Sequence, residues 1–182
     1  MKTGIRVLGI DDAAFSFNDE ETFLTGVVYR GTEFIEDIRR IDVDVDGYDA
    51  TEKVIGLYRK CNNPRQIKAV LTDGVSFAGF NIVDIVKVSE EIDTPVVAVT
   101  SNKPDRKRFR NAMERSGNYD EKFEKLGDFE TLELKDGELY FQYSGCDRKD
   151  AEQMIKKSTI HGLTPEPVRV AHIIGQVFGS LE

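Results

Sequence analysis

Two apolar runs that each end on aspartate constrain the fold of this chain more than any other feature. Residues 5–10 are followed directly by Asp11 and Asp12, and residues 67–72 are followed by Asp73. Each run has the length and composition of a buried β-strand. A carboxylate at the end of such a strand is costly unless something pairs with it, and a divalent metal ion is a common partner. An aspartate here also forms turns or caps helices, so the pattern alone leaves both interpretations open.

The order of predicted elements is that of a mixed α/β fold. Strands are predicted at 5–10, 22–30 and 32–45, a helix at 49–61, a strand at 67–72, a helix at 78–91 and a strand at 96–99. Short links make the first three strands an antiparallel meander, and the helical crossover makes the last two parallel. A basic helix after Pro104, a hairpin over 129–143 and helices at 148–158 and 167–178 complete the chain. We expect one domain over residues 1–182.

This order resembles the ribonuclease H-like fold. In that fold the first and fourth strands are neighbours in the middle of the sheet. If residues 5–10 and 67–72 pair in this way, Asp11 and Asp73 end side by side. Two carboxylates at one point repel each other unless a cation neutralises them, which favours a site for magnesium or manganese.

The charge of the chain limits its partners. It has 33 acidic and 25 basic residues and a net charge of -8, which argues against tight, sequence-independent binding of nucleic acid over the whole surface. One dense basic run, residues 103–110, carries five positive charges in eight residues. Such a run is typical of a solvated helix face, and it is also where a phosphate backbone would lie. Nucleic acid held in a local basic groove is therefore the predicted partner.

The remaining composition predicts a soluble cytoplasmic protein with no membrane partner. The longest apolar stretches are too short to span a bilayer, and the first residues lead into a strand rather than into the apolar core of a signal peptide. The two cysteines, Cys61 and Cys146, have neither the number for a disulfide framework nor the spacing of a zinc or redox site. We expect both to be small buried apolar residues.

Four motifs, taken in order along nearly the whole chain, resemble one archaeal family. They lie at residues 9–15, 46–52, 73–84 and 165–172. The family is number 99 among the domains of unknown function, and it is similar to endonuclease V, a distant relative. Endonuclease V has a ribonuclease H-like fold and cuts nucleic acid near deaminated bases with magnesium held by carboxylates. The resemblance implies the same α/β class here: a mixed sheet of three antiparallel strands and then two parallel ones, flanked by helices.

The resemblance to endonuclease V also implies a set of site residues. Asp11 matches its first metal aspartate, and Asp73 matches the aspartate of its Asp-Gly motif. Glu52 is the nearest match to the glutamate at the start of its first helix, with Asp49 as the alternative. We therefore predict that Asp11, Glu52 and Asp73 are catalytic and hold Mg²⁺ or Mn²⁺.

Other residues receive supporting roles. Asp12 is predicted to be an outer metal ligand. Asp49 is either a metal ligand or the N-cap of a helix whose capping box Glu52 completes. His172, on an apolar helix, is interpreted as a structural histidine. The predicted substrate-binding residues are Gly74, Asn81, Lys103 and Arg106.

Several accessory parts of endonuclease V are replaced in this chain. The His-Pro-Arg segment after its Asp-Gly falls on residues 79–81, and its Gly-His falls on Gly145 and Cys146. Its lysine after the fifth strand falls on Ser101, with Lys103 nearby, and its Pro-Tyr-Ile-Pro wedge has no counterpart. Inosine-directed cleavage is therefore poorly supported.

The retained carboxylates and the replaced accessory parts point to two different functions. The retained carboxylates predict a divalent-metal-dependent nuclease or phosphodiesterase. The replaced parts predict, as the alternative, a module that has lost the chemistry and binds nucleic acid or a protein through the same cleft. A nucleotide-binding doubly wound domain is a weaker third possibility, because neither GxGxxG nor GxxxxGK[ST] occurs.

Overall fold

The described part of the chain forms a mixed sheet covered by helices on both faces. The computed structural model describes residues 4–16, 18–116, 123 and 126–179. The strands of the main sheet are β1 (Arg6–Asp12), β2 (Glu21–Arg30), β3 (Phe34–Asp44), β4 (Ile67–Asp73), β7 (Val96–Thr100), β8 (Glu130–Leu134) and β9 (Gly137–Ser144). A separate hairpin consists of β5 (Ser76–Phe77) and β6 (Asn81–Ile82). The helices are α1 (Ala50–Lys60), α2 (Ile85–Ile92), α3 (Arg106–Ser116), α4 (Arg148–Ser158) and α5 (Glu166–Gly179).

The strand order places the two aspartate-ended strands next to each other. The order is β3-β2-β1-β4-β7-β9-β8, with β1 antiparallel to β2 and parallel to β4. Ile10 of β1 pairs with Thr72 of β4, so Asp11 and Asp73 lie at the same end of neighbouring strands. The predicted adjacency of these strands is confirmed.

The sheet extends further than the sequence predicts. Three antiparallel strands followed by two parallel ones describe β3 to β7, but β9 then pairs antiparallel with β7, and β8 pairs antiparallel with β9. The β8–β9 hairpin buries Leu139 and Phe141 in the same core as the side chains of β7. It also covers the edge of β7, which would otherwise expose unpaired backbone groups. The predicted arrangement is therefore corrected to a larger mixed sheet.

Alternating side chains give the sheet two cores. On one face, Leu8 and Ile10 of β1 pack with Leu57 of α1 and Val88 of α2. On the other face, Val7 packs in a cluster with residues of β4, β7 and α4 and with Val168 of α5. In the described ranges, no helix has the length and apolar character needed to cross a membrane.

Helix α5 lies unusually close to β1 because glycine occupies the contact. A Cβ atom on Gly9 would lie 2.2 Å from the carbonyl carbon of Pro167, and one on Gly175 would lie 2.7 Å from the carbonyl oxygen of Asp12. Only hydrogen fits at these positions. These two close contacts hold α5 along the end of β1. On α5, His172 lies between the two contact residues, Pro167 and Gly175.

Residues 78–91 do not form the predicted continuous helix. Ser76 and Phe77 pair with Ile82 and Asn81, and the turn between them places Ala78 and Gly79 at φ 43° and 85°. This left-handed backbone cannot start a helix. Helix α2 begins only at Ile85, where the side chain of Asp84 accepts hydrogen bonds from the N–H groups of Val86 and Lys87. The apolar pattern predicts α2 correctly, but the predicted helix begins too early and covers part of the β5–β6 hairpin.

Both cysteines are free in the structure. Cys61 is buried and its thiol donates to the carbonyl oxygen of Leu57 over 3.3 Å, while Cys146 is only partly buried. Burial raises the pKa of Cys61 to about 12 and that of Cys146 to about 11. Both therefore remain thiols at neutral pH and are poor nucleophiles. The expected burial is confirmed for Cys61 and is only partial for Cys146.

Candidate metal centre

Three side chains from three elements meet at the end of the sheet. Asp11 comes from β1, Asp73 from β4 and His172 from α5. Each offers one ligand atom, and these atoms lie within 4.8 Å of one another. Such spacing allows one ion to contact all three. The topology explains the meeting, since two neighbouring parallel strands end together and α5 crosses beside them.

Burial makes this cluster electrostatically unfavourable without a cation. Asp11 is 3% exposed, and burial raises its pKa to about 9, with the charges of Asp73 and Asp12 acting in the same direction. Burial likewise raises the pKa of Asp12 and of Asp73. The charge of His172 acts in the opposite direction on the pKa of both. A positive charge placed among these carboxylates would therefore restore their ionised forms.

The structure places His172, interpreted from the sequence as a structural histidine, beside the carboxylates as a further candidate ligand. Its side chain is 52% exposed, and its Nδ1 atom lies 2.7 Å from Oδ2 of Asp11, so one proton lies between them. His172 lies on the exposed side of α5, because Ala171 and Gly175 on the same helix pack against β2 and the end of β1. The sequence signal that could have found it is its place at the end of the motif 165–172.

Asp12 connects the cluster to the β5–β6 hairpin. Its Oδ2 atom accepts a hydrogen bond from the N–H of Ala78 over 2.5 Å, and its own N–H donates to Oδ1 of Asp11 over 2.9 Å. Ser76 also donates to the carbonyl oxygen of Gly79 within the hairpin. Asp12 therefore fixes both the first carboxylate and the turn beside it, which agrees with a supporting role.

The structure does not bring Glu52 into the cluster. Its Oε1 atom lies 2.7 Å from Nζ of Lys87 in an exposed ion pair between α1 and α2. The metal-capable group found among the described residues contains His172 instead. A role for Glu52 as third ligand stays a prediction, and it would require the ion pair with Lys87 to break.

Asp49 and Asn81 belong to a hydrogen-bonded bracket at the start of α1. The amide of Asn81 donates to the carbonyl oxygen of Asp44 and to Oδ1 of Asp49, over 2.9 and 2.6 Å, and accepts from the N–H of Ala50 over 2.9 Å. Asp49 is at the N-cap, but its side chain makes no capping bond and pairs instead with Lys53. The buried amide of Asn81 thus replaces the predicted capping box, and its hydrogen bonds leave it poorly placed to bind substrate.

A recess of about 520 Å³ opens beside the carboxylates. We use "the recess" for this space, whose lining includes Asp11, Asp12, Asp73, Gly74, Lys103, Arg106, Arg108, Phe109, Leu126 and Phe129. Gly74 has φ +69°, and nothing lies within 4 Å of where a Cβ would be. Three of the four predicted substrate-binding residues, Gly74, Lys103 and Arg106, therefore border one space next to the candidate ligands.

Arg106 is largely occupied by the protein itself. Its Nη1 atom donates to the carbonyl oxygens of Leu126 and Gly127 over 3.2 and 3.3 Å and to Oδ1 of Asp128 over 2.8 Å. Its guanidinium carbon lies 5.1 Å from the ring centroid of Phe123. Lys103 and Arg108 also line the recess, and within the described ranges neither forms a side-chain ion pair.

The donor set fits a hard or borderline divalent cation. Two carboxylates supply oxygen ligands of the kind that Mg²⁺ and Mn²⁺ take, and the imidazole of His172 shifts the preference towards Mn²⁺. Burial raises the pKa of both Asp11 and Asp73, so a cation bound between them would favour their ionised forms. The residues present therefore fit the ion that the family resemblance implies.

Comparison with known proteins identifies the family. A family model described as Endonuclease dU matches residues 3–178. The UPF0215 protein of Methanothermobacter thermautotrophicus is 36% identical over 179 residues, which cover 96% of this chain and 87% of the relative.

Two solved structures are also similar to this chain. The crystal structure of a protein of unknown function from Archaeoglobus fulgidus has a TM-score of 0.84 at 36% identity, covering 95% of this chain and 97% of that one. Endonuclease V of Ciona intestinalis, in complex with a 24mer DNA containing an inosine followed by a ribo-adenosine, has a TM-score of 0.64 at 14% identity, covering 98% and 88%. This second likeness supports an endonuclease V-like fold. The chain belongs to the Endonuclease dU family.

Proposed function

We propose that this protein is a divalent-metal-dependent nuclease that hydrolyses a phosphodiester bond in nucleic acid. The observation that carries the proposal is the meeting of Asp11, Asp73 and His172 within 4.8 Å at the edge of a recess that Lys103 and Arg108 also line. The strand order β3-β2-β1-β4-β7 supports it, because it is the order of the ribonuclease H-like fold, in which paired strand ends carry metal-dependent phosphotransfer sites.

Asp11, Asp73 and His172 would hold one Mg²⁺ or Mn²⁺ ion. Such an ion, when bound, supplies an activated water and stabilises the leaving oxygen of a phosphodiester. The two aspartates come from neighbouring hydrogen-bonded strands of the sheet, and they would fix the position of the reacting phosphate. Asp12 holds Asp11 through its N–H, so that the carboxylate keeps one orientation.

Lys103 and Arg108 would contact the phosphates that flank the reacting bond. Both line the recess, and neither is neutralised by an ion pair within the described part of the chain. This arrangement explains how a chain with a net charge of -8 can bind nucleic acid, since the cations are concentrated where the substrate lies. In this proposal, the rim of the recess serves as the local basic groove that the sequence predicts.

The first substrate to test is DNA that contains deoxyuridine. The family is described as Endonuclease dU, and the Ciona intestinalis endonuclease V was crystallised with DNA containing an inosine. The Pro-Tyr-Ile-Pro wedge of endonuclease V has no counterpart in this sequence, so inosine-directed cleavage is poorly supported.

The test is a cleavage assay on labelled DNA with a single deoxyuridine, a single inosine or neither, in Mg²⁺ and in Mn²⁺. We expect a metal-dependent nick in the deoxyuridine substrate, abolished by Asp73→Asn and retained in Asp42→Asn, a surface carboxylate on β3. If wild type and Asp73→Asn were equally silent on single-stranded DNA, duplex DNA and structured RNA alike, the nuclease proposal would be rejected.

A non-catalytic binding module is the second candidate. The ion pair of Glu52 with Lys87 favours it, because this pair removes a third carboxylate from the cluster. A module without chemistry would bind the same oligonucleotides, cleave none of them, and bind them equally well with or without Mn²⁺.

A further inference from the structure

Exposed apolar side chains are concentrated on one side of the described structure, away from the metal centre. Five of them are between 46% and 54% exposed: Ile35 and Ile38 of β3, and Ile173, Val177 and Phe178 of α5. We call these five side chains the apolar patch. None of them belongs to the carboxylate cluster or lines the recess. Single exposed apolar residues are normal on a protein surface, whereas a contiguous group usually marks a contact with another molecule.

Strand pairing shows that both parts of the apolar patch lie on the same face of the sheet. Ile38 of β3 is paired with Val27 of β2, and Ile35 is paired with Tyr29. Paired residues of antiparallel strands point to the same face. Both β2 residues form a core cluster with Ala171 of α5, so the two isoleucines lie on the face that α5 covers. Because α5 packs mainly on β1 and β2, it leaves these isoleucines on the outer strand half exposed.

Residue spacing along α5 joins the helical part of the apolar patch to the strand part. Val170 and Ile174 are partly buried against the cluster that contains the β2 side chains. Ile173, Val177 and Phe178 each lie three or four residues from one of these two, so all five share one side of the helix. This side of α5 is directed towards β2 and β3. The apolar patch is therefore one continuous surface with a strand end and a helical end.

The area of the apolar patch is close to that of the apolar part of a dimer interface. Five half-exposed side chains of this size leave roughly 400 Å² of apolar surface. A standard interface buries about 800 Å² on each partner, of which about 65% is apolar in homodimers, or roughly 500 Å². The apolar patch contains no charged side chain, so it offers nothing to the phosphates of a nucleic acid. A protein surface of the same apolar character is the partner that it fits.

We infer that the apolar patch joins two copies of this chain in a twofold-symmetric dimer. A twofold axis through the middle of the patch places the helical end of one copy on the strand end of the other, and the reverse contact forms at the same time. One contact surface then covers both ends in both copies. An unrelated partner would need a separate match for each end, whereas a second copy carries both.

The dimer leaves the recess of each copy open. The apolar patch lies on the side of α5 that is directed towards β2 and β3, whereas residues of β4, β7 and α3 line the recess. The strand order places these two regions on opposite sides of β1. Each copy keeps its own metal centre, and the dimer can form whether or not the protein cleaves nucleic acid.

Sedimentation velocity measures the dimer directly. We expect wild type at micromolar concentration to have twice the chain mass of 20.6 kDa. Ile38→Lys at the strand end and Val177→Glu at the helical end should each weaken self-association by about tenfold or more, because each would bury a charge without a partner. Val86→Lys is the matched control, since Val86 on α2 is 53% exposed and lies outside the apolar patch; this variant should associate like wild type. Circular dichroism verifies that each variant is folded.

Mixing the two variants tests how the copies are arranged. In the mixture, the introduced lysine of one chain meets the introduced glutamate of the other, and the second contact has only native residues. The mixture should therefore regain twice the chain mass, although each variant alone does not. Wild type that keeps a mass of 20.6 kDa at all concentrations would overturn the inference, as would Ile38→Lys and Val177→Glu proteins that associate like wild type. A mixture that stays monomeric would reject the contact between helical end and strand end.

Discussion

Replacing Asp11 with asparagine should stabilise the protein in the absence of metal ions. Burial raises the pKa of Asp11 from its ordinary value of 3.8 to about 9. Between these values the folded protein binds more protons than the unfolded chain, so the free energy of unfolding falls as the pH rises from about 4 to about 9. Asparagine has nearly the same shape and no such penalty.

The magnitude follows from the same shift. Each pH unit above 3.8 removes about 1.4 kcal/mol, which amounts to about 4 kcal/mol at pH 7. For a domain of this size, that corresponds to a rise in melting temperature of roughly 10 °C in Asp11→Asn. Below pH 4 the two proteins should unfold alike, because Asp11 is protonated in both states.

Urea unfolding between pH 4 and pH 9, in EDTA and in Mn²⁺, is the assay. Mn²⁺ at 100 times its dissociation constant should stabilise wild type by about 2.7 kcal/mol and leave Asp11→Asn unchanged. Asp42→Asn, an exposed carboxylate paired with Arg40, is the control and should show neither effect. An Asp11→Asn variant that is less stable than wild type at pH 7 in EDTA, or that gains stability from Mn²⁺, would refute the reasoning.

Three further predictions concern the elements around the centre. Gly9→Ala should lower the free energy of unfolding by about 1–3 kcal/mol and weaken Mn²⁺ binding, because its Cβ would meet the backbone of Pro167 and displace α5; unchanged calorimetric affinity would contradict this. Asn81→Ala should cost about 3 kcal/mol in urea unfolding, since three buried hydrogen bonds are lost, and a cost below 1 kcal/mol would contradict the bracket. Glu52→Gln should leave Mn²⁺ affinity, measured by calorimetric titration, within about twofold of wild type and should barely change the urea midpoint, because its ion pair with Lys87 is exposed; a tenfold loss of affinity would restore Glu52 as a ligand.

The sequence could predict the part of the fold that short-range patterns determine. The apolar runs before Asp11 and Asp73 define two buried strands, and the likeness of the element order to the ribonuclease H-like fold predicts that they are neighbours, which the structure confirms. The extension of the sheet by β8 and β9 was not predicted, because the pairing of a hairpin with a distant strand depends on tertiary contacts. The same limit applies to residues 78–84, where Asp12 and Asp46 fix a turn from far away in the sequence.

The candidate site was predictable only where strands determine it. Asp11 and Asp73 follow from strand ends, whereas His172 depends on how closely α5 approaches β1, which Gly9 and Gly175 permit. A single histidine on an apolar helix carries no periodic signal of this approach. Glu52 is predicted as a ligand because it is the nearest match to the glutamate of endonuclease V, but its side chain pairs with Lys87 on α2.

The most direct test of the central claim is anomalous scattering from crystals soaked in Mn²⁺. We expect one strong peak per chain, within coordination distance of Asp11, Asp73 and His172, which is lost in Asp73→Asn crystals treated in the same way. A peak at Glu52 and Asp49 instead, or no peak at the three predicted side chains, would contradict it.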